Sequence, residues 1–499
     1  MKNSFKNASY NAFGFVFPIS LALFTTPYIV HKLTPEVYGV YVIAISLMGL
    51  LVFLDLGFGQ GVIKFVSQYD AKKDYDHINK IISVSLLIYI VMGLVGSTLI
   101  FCLSDLLSSS LFKISEEYVA TVSLGFKVVA IGFFFNFIKS VLSNIPKALQ
   151  RYDISVKIQN AVWFFSIMST VALLYLGQGL VAILISYIFY QLVAVVIYYF
   201  ACKRILPTIR IIPRFEKAVF KEVFSFCVFT AINSISGSVL FKVDKIIVAG
   251  FLGAEAVAYY QIPFMIAQMA NGFMVSISQF LFPATSHMYS SGDHERLREC
   301  YFKSTRYILC LATVIVASLL FLGDHFIVLW MGREFAQRSR NLIQIISIIY
   351  FFHASGIVAF WFYNGLGKPK INAISSTIAC ISYLLASVFL IPKFGLIGAA
   401  LAFGFTLIPF PVYIYILNTS IMRVGNKWLL GKVAKSIFIL SFVIGLTYLI
   451  ALPPGVMWFS FAGLSVVVFS VVVSYFLKII YLEDILSLKS NLKLGGAKS

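Results

Sequence analysis

The sequence predicts an all-α, polytopic membrane protein with about 14 transmembrane helices. Of its 499 residues, 60% are hydrophobic and only 12% are charged, and the mean hydropathy is +0.92. Soluble domains carry roughly 25% charged residues, about twice this fraction. Apolar stretches of about 20 residues recur along the whole chain, and each is long enough to cross a hydrocarbon core of roughly 30 Å. A bundle of membrane-spanning helices is therefore the fold class that the composition favours.

The individual spans are separated by clusters of charged, proline or glycine residues. In chain order they are predicted at 9–31, 38–61, 80–103, 118–142, 156–176, 180–202, 224–251, 256–284, 305–323, 342–366, 371–391, 396–418, 433–452 and 455–478. The first is read as a retained span, because no small-residue cleavage site closes a short apolar region. An even number of spans places both termini on the same side of the membrane.

The basic residues predict which side that is. With the termini inside, three lysines lie deep within spans and six basic residues lie in outer loops, which leaves 30 of the 39 Lys and Arg in inner segments or at the inner ends of spans. The six outer residues are Lys32, Lys113, Arg333, Arg338, Arg340 and Lys393. Cytoplasmic segments are enriched in Lys and Arg, so both termini are expected in the cytoplasm. The same asymmetry accounts for the net charge of +19, and no nucleic-acid partner is expected.

The two halves of the chain repeat each other at an offset of 219 residues. "LTPEVYGVY" (33–41) resembles "LGAEAVAYY" (252–260), and Asp105 in "LSDLL" matches Asp324 in "LGDHF". Because each repeat contains six spans, the repeats have the same orientation, as in transporters whose site lies between two lobes. The alternative is chance similarity between Gly- and Leu-rich segments. The predicted organisation is an N-lobe at 1–202, a basic cytoplasmic linker at 203–223, a C-lobe at 224–418, spans 13 and 14 within 419–478, and a cytoplasmic tail at 479–499.

Charged residues inside predicted spans are the candidate site residues. Span seven contains Lys242, Asp244 and Lys245, and span four contains Lys127. A charge at the bilayer centre costs roughly 2.5–3.5 kcal/mol, so these side chains should face a partner or a watery cavity. We expect the three lysines to line a cavity that binds an anionic substrate, with Asp244 paired to a neighbouring span. The alternatives are an internal ion cluster in span seven and, for Lys127, a side chain that extends to the outer surface.

Two further residues are candidates for ion pairing or gating. Asp55 begins "DLGFGQG", whose glycines interrupt span two near its inner end. The segment is either a hinge or inner gate, or a place of close helix packing in which Asp55 caps a neighbouring helix or pairs with Lys64. His353 lies near the middle of span ten and is either a proton-sensitive cavity residue or a hydrogen-bonded core histidine. The six cysteines show no CxxC spacing, and no metal site is predicted.

Three longer stretches carry a family resemblance. They are "LTPEVYGVYVIAISLMGLLVFLDLGFGQGVIKFVSQY", "KVDKIIVAGFLGAEAVAYYQIP" and "IPKFGLIGAALAF". Their order and spacing resemble the bacterial polysaccharide and O-antigen flippases of the multidrug/oligosaccharidyl-lipid/polysaccharide exporter superfamily. The resemblance implies a MATE-like fold of two six-helix lobes around a central cavity, followed by two extra helices. It also implies a location in the bacterial cytoplasmic (inner) membrane.

The cargo implied by this resemblance is an undecaprenyl-pyrophosphate-linked oligosaccharide, flipped from the inner to the outer leaflet by alternating access. No bound cofactor is implied, H⁺ and Na⁺ are the candidate coupling ions, and a polysaccharide polymerase and a chain-length regulator are the candidate protein partners. Related lipid II flippases carry arginines in their first spans, whereas span 9–31 contains none, which disfavours lipid II as the cargo. The alternatives are an ion-coupled multidrug exporter of the same superfamily and, from another class, a membrane polysaccharide polymerase or ligase.

Overall fold

The protein is built from helices. The computed structural model describes residues 2–49, 55, 57–112, 114–224, 227, 243–449, 456–477 and 479, and no β-strand occurs within those ranges. Nine helices in this described part are long and apolar enough to cross a membrane. They are Tyr75–Leu111, Glu116–Ala148, Tyr152–Tyr175, Leu180–Ile205, Ala254–Ser290, His294–Met331, Leu342–Gly365, Pro369–Ile421 and Lys427–Leu446. The protein is therefore an all-α, multi-pass membrane protein, and the total of 14 spans stays a prediction.

The chain divides into two compact units, Met1–Gln261 and Ile262–Ser499. The helices of the first unit are α1 (Lys2–Leu33), α2 (Pro35–Gly49), α3 (Phe58–Ala71), α4 (Tyr75–Leu106), α5 (Glu116–Ala148), α6 (Tyr152–Tyr175), α7 (Leu180–Ile205) and α8 (Asp244–Leu252), and α9 (Ala254–Ser278) begins there. Helix α5 is central, because α2, α3, α4 and α7 all pack against it. Buried aromatic rings of Tyr89, Phe133 and Phe137 fill the space between α4 and α5.

The second unit is organised around two buried helices. Its further helices are α10 (Leu281–Ser290), α11 (His294–Met331), α12 (Arg333–Arg338), α13 (Leu342–Gly365), α14 (Pro369–Gly404), α15 (Phe410–Ile416), α16 (Lys427–Leu449) and α17 (Val456–Phe476). In α11 and α13, 61% and 67% of the most apolar stretch is buried, against at most 44% in the other candidate spans of the described residues. Helices α16 and α17 pack against α11. Most other spans leave much of their apolar surface outside the protein, where lipid would cover it.

Glycines with left-handed backbones break two of the helical stretches. The predicted span 38–61 is interrupted by Gly57, whose φ is 77°, and α3 then continues beyond the predicted end of that span. Within α14, Gly395 has a φ of 57° and separates two helices, at the boundary predicted between spans 371–391 and 396–418. Glycine adopts these angles at low cost because it has no Cβ.

A polar contact between long helices occurs in both units. Near the end of α4, Asp105 Oδ1 lies 3.1 Å from the Nζ of Lys127 on α5. In the second unit, the amide of Gln344 on α13 donates to Asp324 on α11 over 3.2 Å. These two aspartates are the pair related by the 219-residue offset. Each unit therefore joins two consecutive long helices through an aspartate near a helix end.

The basic segment after α7 is held against α4. The Asn79 side chain donates to the carbonyl of Thr208 over 3.1 Å and accepts from the backbone N–H of Arg210 over 2.7 Å. Lys80 and Glu216 form an ion pair of 3.3 Å farther along. Residues 206–216 have no regular secondary structure, and residues 217–224 are helical. The segment is thus a strap whose backbone is held by two hydrogen bonds to Asn79, by the Lys203 ammonium at Ile209 and by the carbonyl of Ser83 at Arg214.

Helix α2 approaches the start of α9 closely at Gly39. A Cβ added there would lie 1.8 Å from the carbonyl oxygen of Ala254. No other residue fits without displacing backbone. Close helix approach through small residues is a usual way to gain packing energy in membranes, where apolar surface alone provides little drive.

Candidate functional site

The structure places the predicted lysines in different settings. Lys242 lies outside the described residues. Lys245 is buried, and its Nζ is 2.9 Å from Oδ2 of its neighbour Asp244, which is also buried. Lys127 pairs with Asp105, whose side chain is 71% exposed. Each predicted lysine in the described part thus has a carboxylate partner, and neither offers an uncompensated positive charge.

The two predicted gating residues make local hydrogen bonds. Asp55 accepts from the backbone N–H of Gly59 over 3.3 Å and from the hydroxyl of Tyr89. It therefore supplies an acceptor to the first turn of α3, where N–H groups have no partner within the helix. His353 Nε2 lies 2.7 Å from the hydroxyl of Thr406, and its ring meets Phe410 edge-on at 4.9 Å between centroids. These contacts are those of residues integrated into a packed helical bundle.

A polar cavity lies between α5, α6 and α7, within the first unit. Its volume is about 320 Å³. Helix α5 contributes Asn136, Lys139, Ser140, Ser143 and Lys147; α6 contributes Gln159, Val162, Trp163 and Ser166; and α7 contributes Tyr187, Tyr190, Gln191, Ala194 and Tyr198. Almost every lining residue is polar or aromatic, although the three helices are among the candidate membrane spans. Polar residues in such helices usually mark a site or pathway.

Helical periodicity brings these residues together. The α5 positions follow the spacing i, i+3, i+4, i+7 and i+11, and the α7 positions follow the same spacing. Residues spaced in this way share one face of a helix. Short turns at 149–151 and 176–179 join α5 to α6 and α6 to α7, so consecutive helices are antiparallel neighbours and their polar faces meet.

The cavity carries two positive charges. Lys139 donates to Oε1 of Gln191 over 2.6 Å, and Lys147 lies 3.3 Å from Oδ1 of Asn144. No carboxylate within the described residues pairs with either lysine or lines the cavity. The two lysines stand eight residues apart on α5, which is about 12 Å along its axis. Such a cavity can attract a phosphate or carboxylate while its amides, hydroxyls and rings contact a sugar.

A sequence reading missed this site because it ended the fourth span at residue 142. It therefore treated Lys147, which lies beyond that end, and Lys139, which lies close to it, as inner-side topology charges, whereas α5 continues to Ala148. The signal was present in the sequence. Asn136, Lys139, Ser140, Ser143 and Lys147 form a polar stripe at helical spacing, and one such stripe in an apolar helix predicts a lined cavity.

The second unit contains a cavity of a different character. It has a volume of about 410 Å³ and lies where the end of α11 meets α12 and the start of α13. Its lining includes Arg333 and Arg340 but also Asp324, which accepts from Gln344. The carboxylate offsets part of the positive charge. The cavity between α5, α6 and α7 is the stronger candidate for an anionic cargo.

Comparison with known proteins shows which family the chain matches. The family model described as "Polysaccharide biosynthesis protein" matches residues 32–340. The chain is 26% identical over 406 residues to a putative O-antigen transporter of Shigella flexneri, which covers 81% of this chain and 94% of that relative. It is 23% identical over 195 residues to a probable low-salt glycan biosynthesis flippase of Haloferax volcanii, which covers 38% of this chain and 40% of that relative.

Solved structures share the fold. The lipid II flippase MurJ in an inward closed conformation matches with a TM-score of 0.73 at 16% identity, over 94% of this chain and 97% of that chain. An inward-facing multidrug resistance MATE family transporter of the MOP superfamily matches with a TM-score of 0.68 at 13% identity, over 80% and 97%. At these identities the likeness concerns the fold alone. The MATE-like, all-α fold expected from the sequence is confirmed.

Proposed function

We propose that this chain, which belongs to the polysaccharide biosynthesis protein family, is a flippase for an undecaprenyl-pyrophosphate-linked oligosaccharide. The observation that carries the proposal is the polar cavity with two lysines between α5, α6 and α7. Relatives named as an O-antigen transporter and a glycan biosynthesis flippase support a lipid-linked glycan as cargo. We place both termini in the cytoplasm, so that transport runs from the inner to the outer leaflet of the cytoplasmic membrane.

The cargo's headgroup sets the chemical problem. A pyrophosphate carries several negative charges, and a charged group costs several kcal/mol or more in the bilayer centre. Lys139 and Lys147 supply positive charge, and Gln159, Gln191 and Trp163 supply amide and aromatic surface of the kind that contacts sugars. A volume of about 320 Å³ is at the lower end of ligand pockets, roughly 300–1,000 Å³. It accommodates the pyrophosphate and the first sugar, and the rest of the glycan extends beyond it.

The other charged residues take secondary roles in this proposal. Lys127 and Lys245 would have to leave Asp105 and Asp244 before binding a phosphate, so they contact the cargo only in a state in which those ion pairs are open. Alternating access is supported by solved MATE family transporters of the same fold in inward-facing and outward-facing conformations. Coupling to H⁺ or Na⁺ would act through carboxylates such as Asp55 and Asp244, which each state of the cycle would expose differently.

The charge of the cavity also favours a glycolipid flippase over a multidrug exporter, and the named relatives favour it over a polymerase or ligase. A binding site for cationic drugs needs carboxylates, whereas this cavity presents two ammonium groups. A polymerase or ligase would join sugars, and the named relatives are described as a transporter and a flippase. Transport of an anionic glycolipid is therefore the function that the geometry supports best.

The test is complementation in the native host after depletion of the protein. We expect a Lys139→Gln/Lys147→Gln double variant to leave surface polysaccharide low and lipid-linked oligosaccharide accumulated on the cytoplasmic side. Each lysine makes a charge-assisted contact of roughly 1.5–3 kcal/mol, so each loss weakens headgroup binding by about 10- to 150-fold. Lys139→Arg/Lys147→Arg keeps the charge and should restore part of the activity.

Lys303 provides a matched control, because it is a half-exposed lysine of α11 that pairs with Glu299. Lys303→Gln should restore surface polysaccharide fully. Membrane levels of all variants are measured by immunoblot. The proposal is wrong if the double variant restores surface polysaccharide at normal protein level. A cell that keeps its polysaccharide but loses drug resistance when the protein is depleted would identify a drug exporter instead.

A further inference from the structure

A second basic groove lies where α6 begins and α7 ends. Its volume is about 700 Å³, and its lining includes Arg151, Asp153 and Lys157 from the start of α6 and Phe200 and Arg204 from the end of α7. The two helices pack against each other, so the first turns of one meet the last turns of the other. Both are candidate membrane spans, and their ends lie where lipid headgroups would be.

The groove has an excess of positive charge. Nε and Nη2 of Arg151 lie 3.0 and 3.2 Å from the two carboxylate oxygens of Asp153. The Arg204 side chain is exposed and makes no hydrogen bond or ion pair with any residue that the structure describes. Lys157 is also exposed. Among the residues that line the groove, three basic side chains and one carboxylate give a formal charge of +2, and the carboxylate of Asp153 pairs with the guanidinium of Arg151.

Apolar surface continues from the groove along α7. Phe200 is 65% exposed and Ile197 is 40% exposed. Val196, Phe189 and Ile185 extend this surface and are each more than half exposed. From residue 185 to residue 200 the stripe is about 22 Å long, which exceeds the roughly 15 Å depth of one leaflet. Cations at the end of a helix and apolar side chains along it match the two parts of a phospholipid.

This groove is separate from the cavity described above. On α6, Ile154 and Lys157 line the groove, whereas Trp163 and Ser166 line the cavity. Ile154 and Trp163 are nine residues apart, and so are Lys157 and Ser166. Nine residues correspond to a rotation of about 180° around the helix axis. The groove and the cavity therefore use opposite faces of α6, and a ligand of one does not occupy the other.

We propose that the groove binds an anionic glycerophospholipid, with its phosphate between Lys157 and Arg204 and its acyl chains along the exposed face of α7. The charge of the groove selects an anionic headgroup over a zwitterionic one. Near a membrane surface each Lys or Arg contributes enough attraction to change affinity by about fivefold. Loss of both cations should therefore weaken binding by about 25-fold.

The experiment titrates phosphatidylglycerol into the full-length protein in detergent and counts bound lipids by native mass spectrometry. We expect phosphatidylglycerol to bind with preference over phosphatidylcholine. Lys157→Gln/Arg204→Gln should weaken phosphatidylglycerol binding by about 25-fold and abolish the preference. Lys157→Arg/Arg204→Lys keeps both charges and should bind like wild type, which separates a loss of charge from a loss of fold.

A control variant removes the same charge elsewhere. Lys217 and Lys221 are exposed lysines on the short helix at 217–224, and Lys217→Gln/Lys221→Gln should change binding less than twofold. Equal losses in both double variants would mean nonspecific attraction to a basic surface and would overturn the proposal. So would unchanged binding in Lys157→Gln/Arg204→Gln. If undecaprenyl phosphate displaces phosphatidylglycerol at lower concentration through the same two residues, the groove is a cargo site and the assignment to phospholipid is wrong.

Discussion

Replacement of Asp244 tests whether the buried ion pair with Lys245 is structural. The Nζ–Oδ2 distance is 2.9 Å, and both residues are buried. At an effective dielectric constant of about 20, two unit charges at this distance attract by about 6 kcal/mol, before the cost of removing them from water. Asp244→Asn keeps the shape but removes the counter-charge. Loss of one partner of a buried pair typically costs about 3–5 kcal/mol.

The expected change in melting temperature follows from the size of the unit. Unfolding entropy is about 2.1 cal/mol/K per residue, and the unit containing the pair has bounds Met1–Gln261. A loss of about 3–5 kcal/mol therefore lowers the melting temperature by about 5–9 °C. Asp244→Asn/Lys245→Met removes both charges, and similar replacements of buried pairs are often neutral or stabilising. The double variant should thus be more stable than Asp244→Asn alone.

The assay is thermal unfolding of purified protein in detergent, followed by the transport test on the same variants. If the pair is structural, the double variant regains both stability and transport. If Lys245 also binds cargo, the double variant regains stability while surface polysaccharide stays low. An Asp244→Asn protein whose melting temperature is within 1 °C of wild type, or a double variant less stable than Asp244→Asn, would refute the reasoning.

Two further substitutions test the packing of the first unit. Gly39→Ala places a Cβ 1.8 Å from the carbonyl oxygen of Ala254 and should lower the melting temperature by several degrees. The control Gly431→Ala places its Cβ in open space and should leave the melting temperature unchanged. Equal effects of the two substitutions would contradict the close approach of α2 to α9. Asn79→Ala removes two hydrogen bonds that hold the strap at 206–216, worth about 1 kcal/mol each, so trypsin should cleave the strap up to about 30-fold faster. An unchanged cleavage rate would show that Asn79 does not fix the strap.

The fold was largely predictable because membrane-spanning helices can be recognised from their amino-acid composition. A polar backbone in lipid must satisfy its hydrogen bonds internally, so an apolar stretch of sufficient length has few conformations open to it. Even the break at Gly395 was predictable as a boundary between spans, since no side chain hinders its left-handed backbone. The position at which α3 begins after Gly57 was not predictable. It depends on a carboxylate from Asp55 and on the hydroxyl of Tyr89, a contact between helices that periodicity does not encode.

The charged site was only partly predictable. Spacing identified Lys127 as a charge within a span, but its partner Asp105 is on another helix, and hydropathy assigned that aspartate to a loop. Lys139, in contrast, was not recognised as a charge inside a membrane helix. Its nearness to a predicted span end made it look like a topology charge, yet α5 continues and directs it to Gln191. Partners of charged groups depend on which helices become neighbours, and the sequence gives that information only indirectly.

The structure gives α6 two charged environments on opposite faces. One face meets α5 and α7 at the cavity of Lys139 and Lys147, and the other meets the end of α7 at the groove of Lys157 and Arg204. A net charge shared over one surface would let any anionic lipid compete with the cargo. If both proposals hold, separation by about 180° would remove that competition, because a phospholipid in the groove would leave the cavity open. An excess of positive charge in this unit can thus serve both membrane attachment and cargo binding, provided that each set of cations is confined to its own face of the helix.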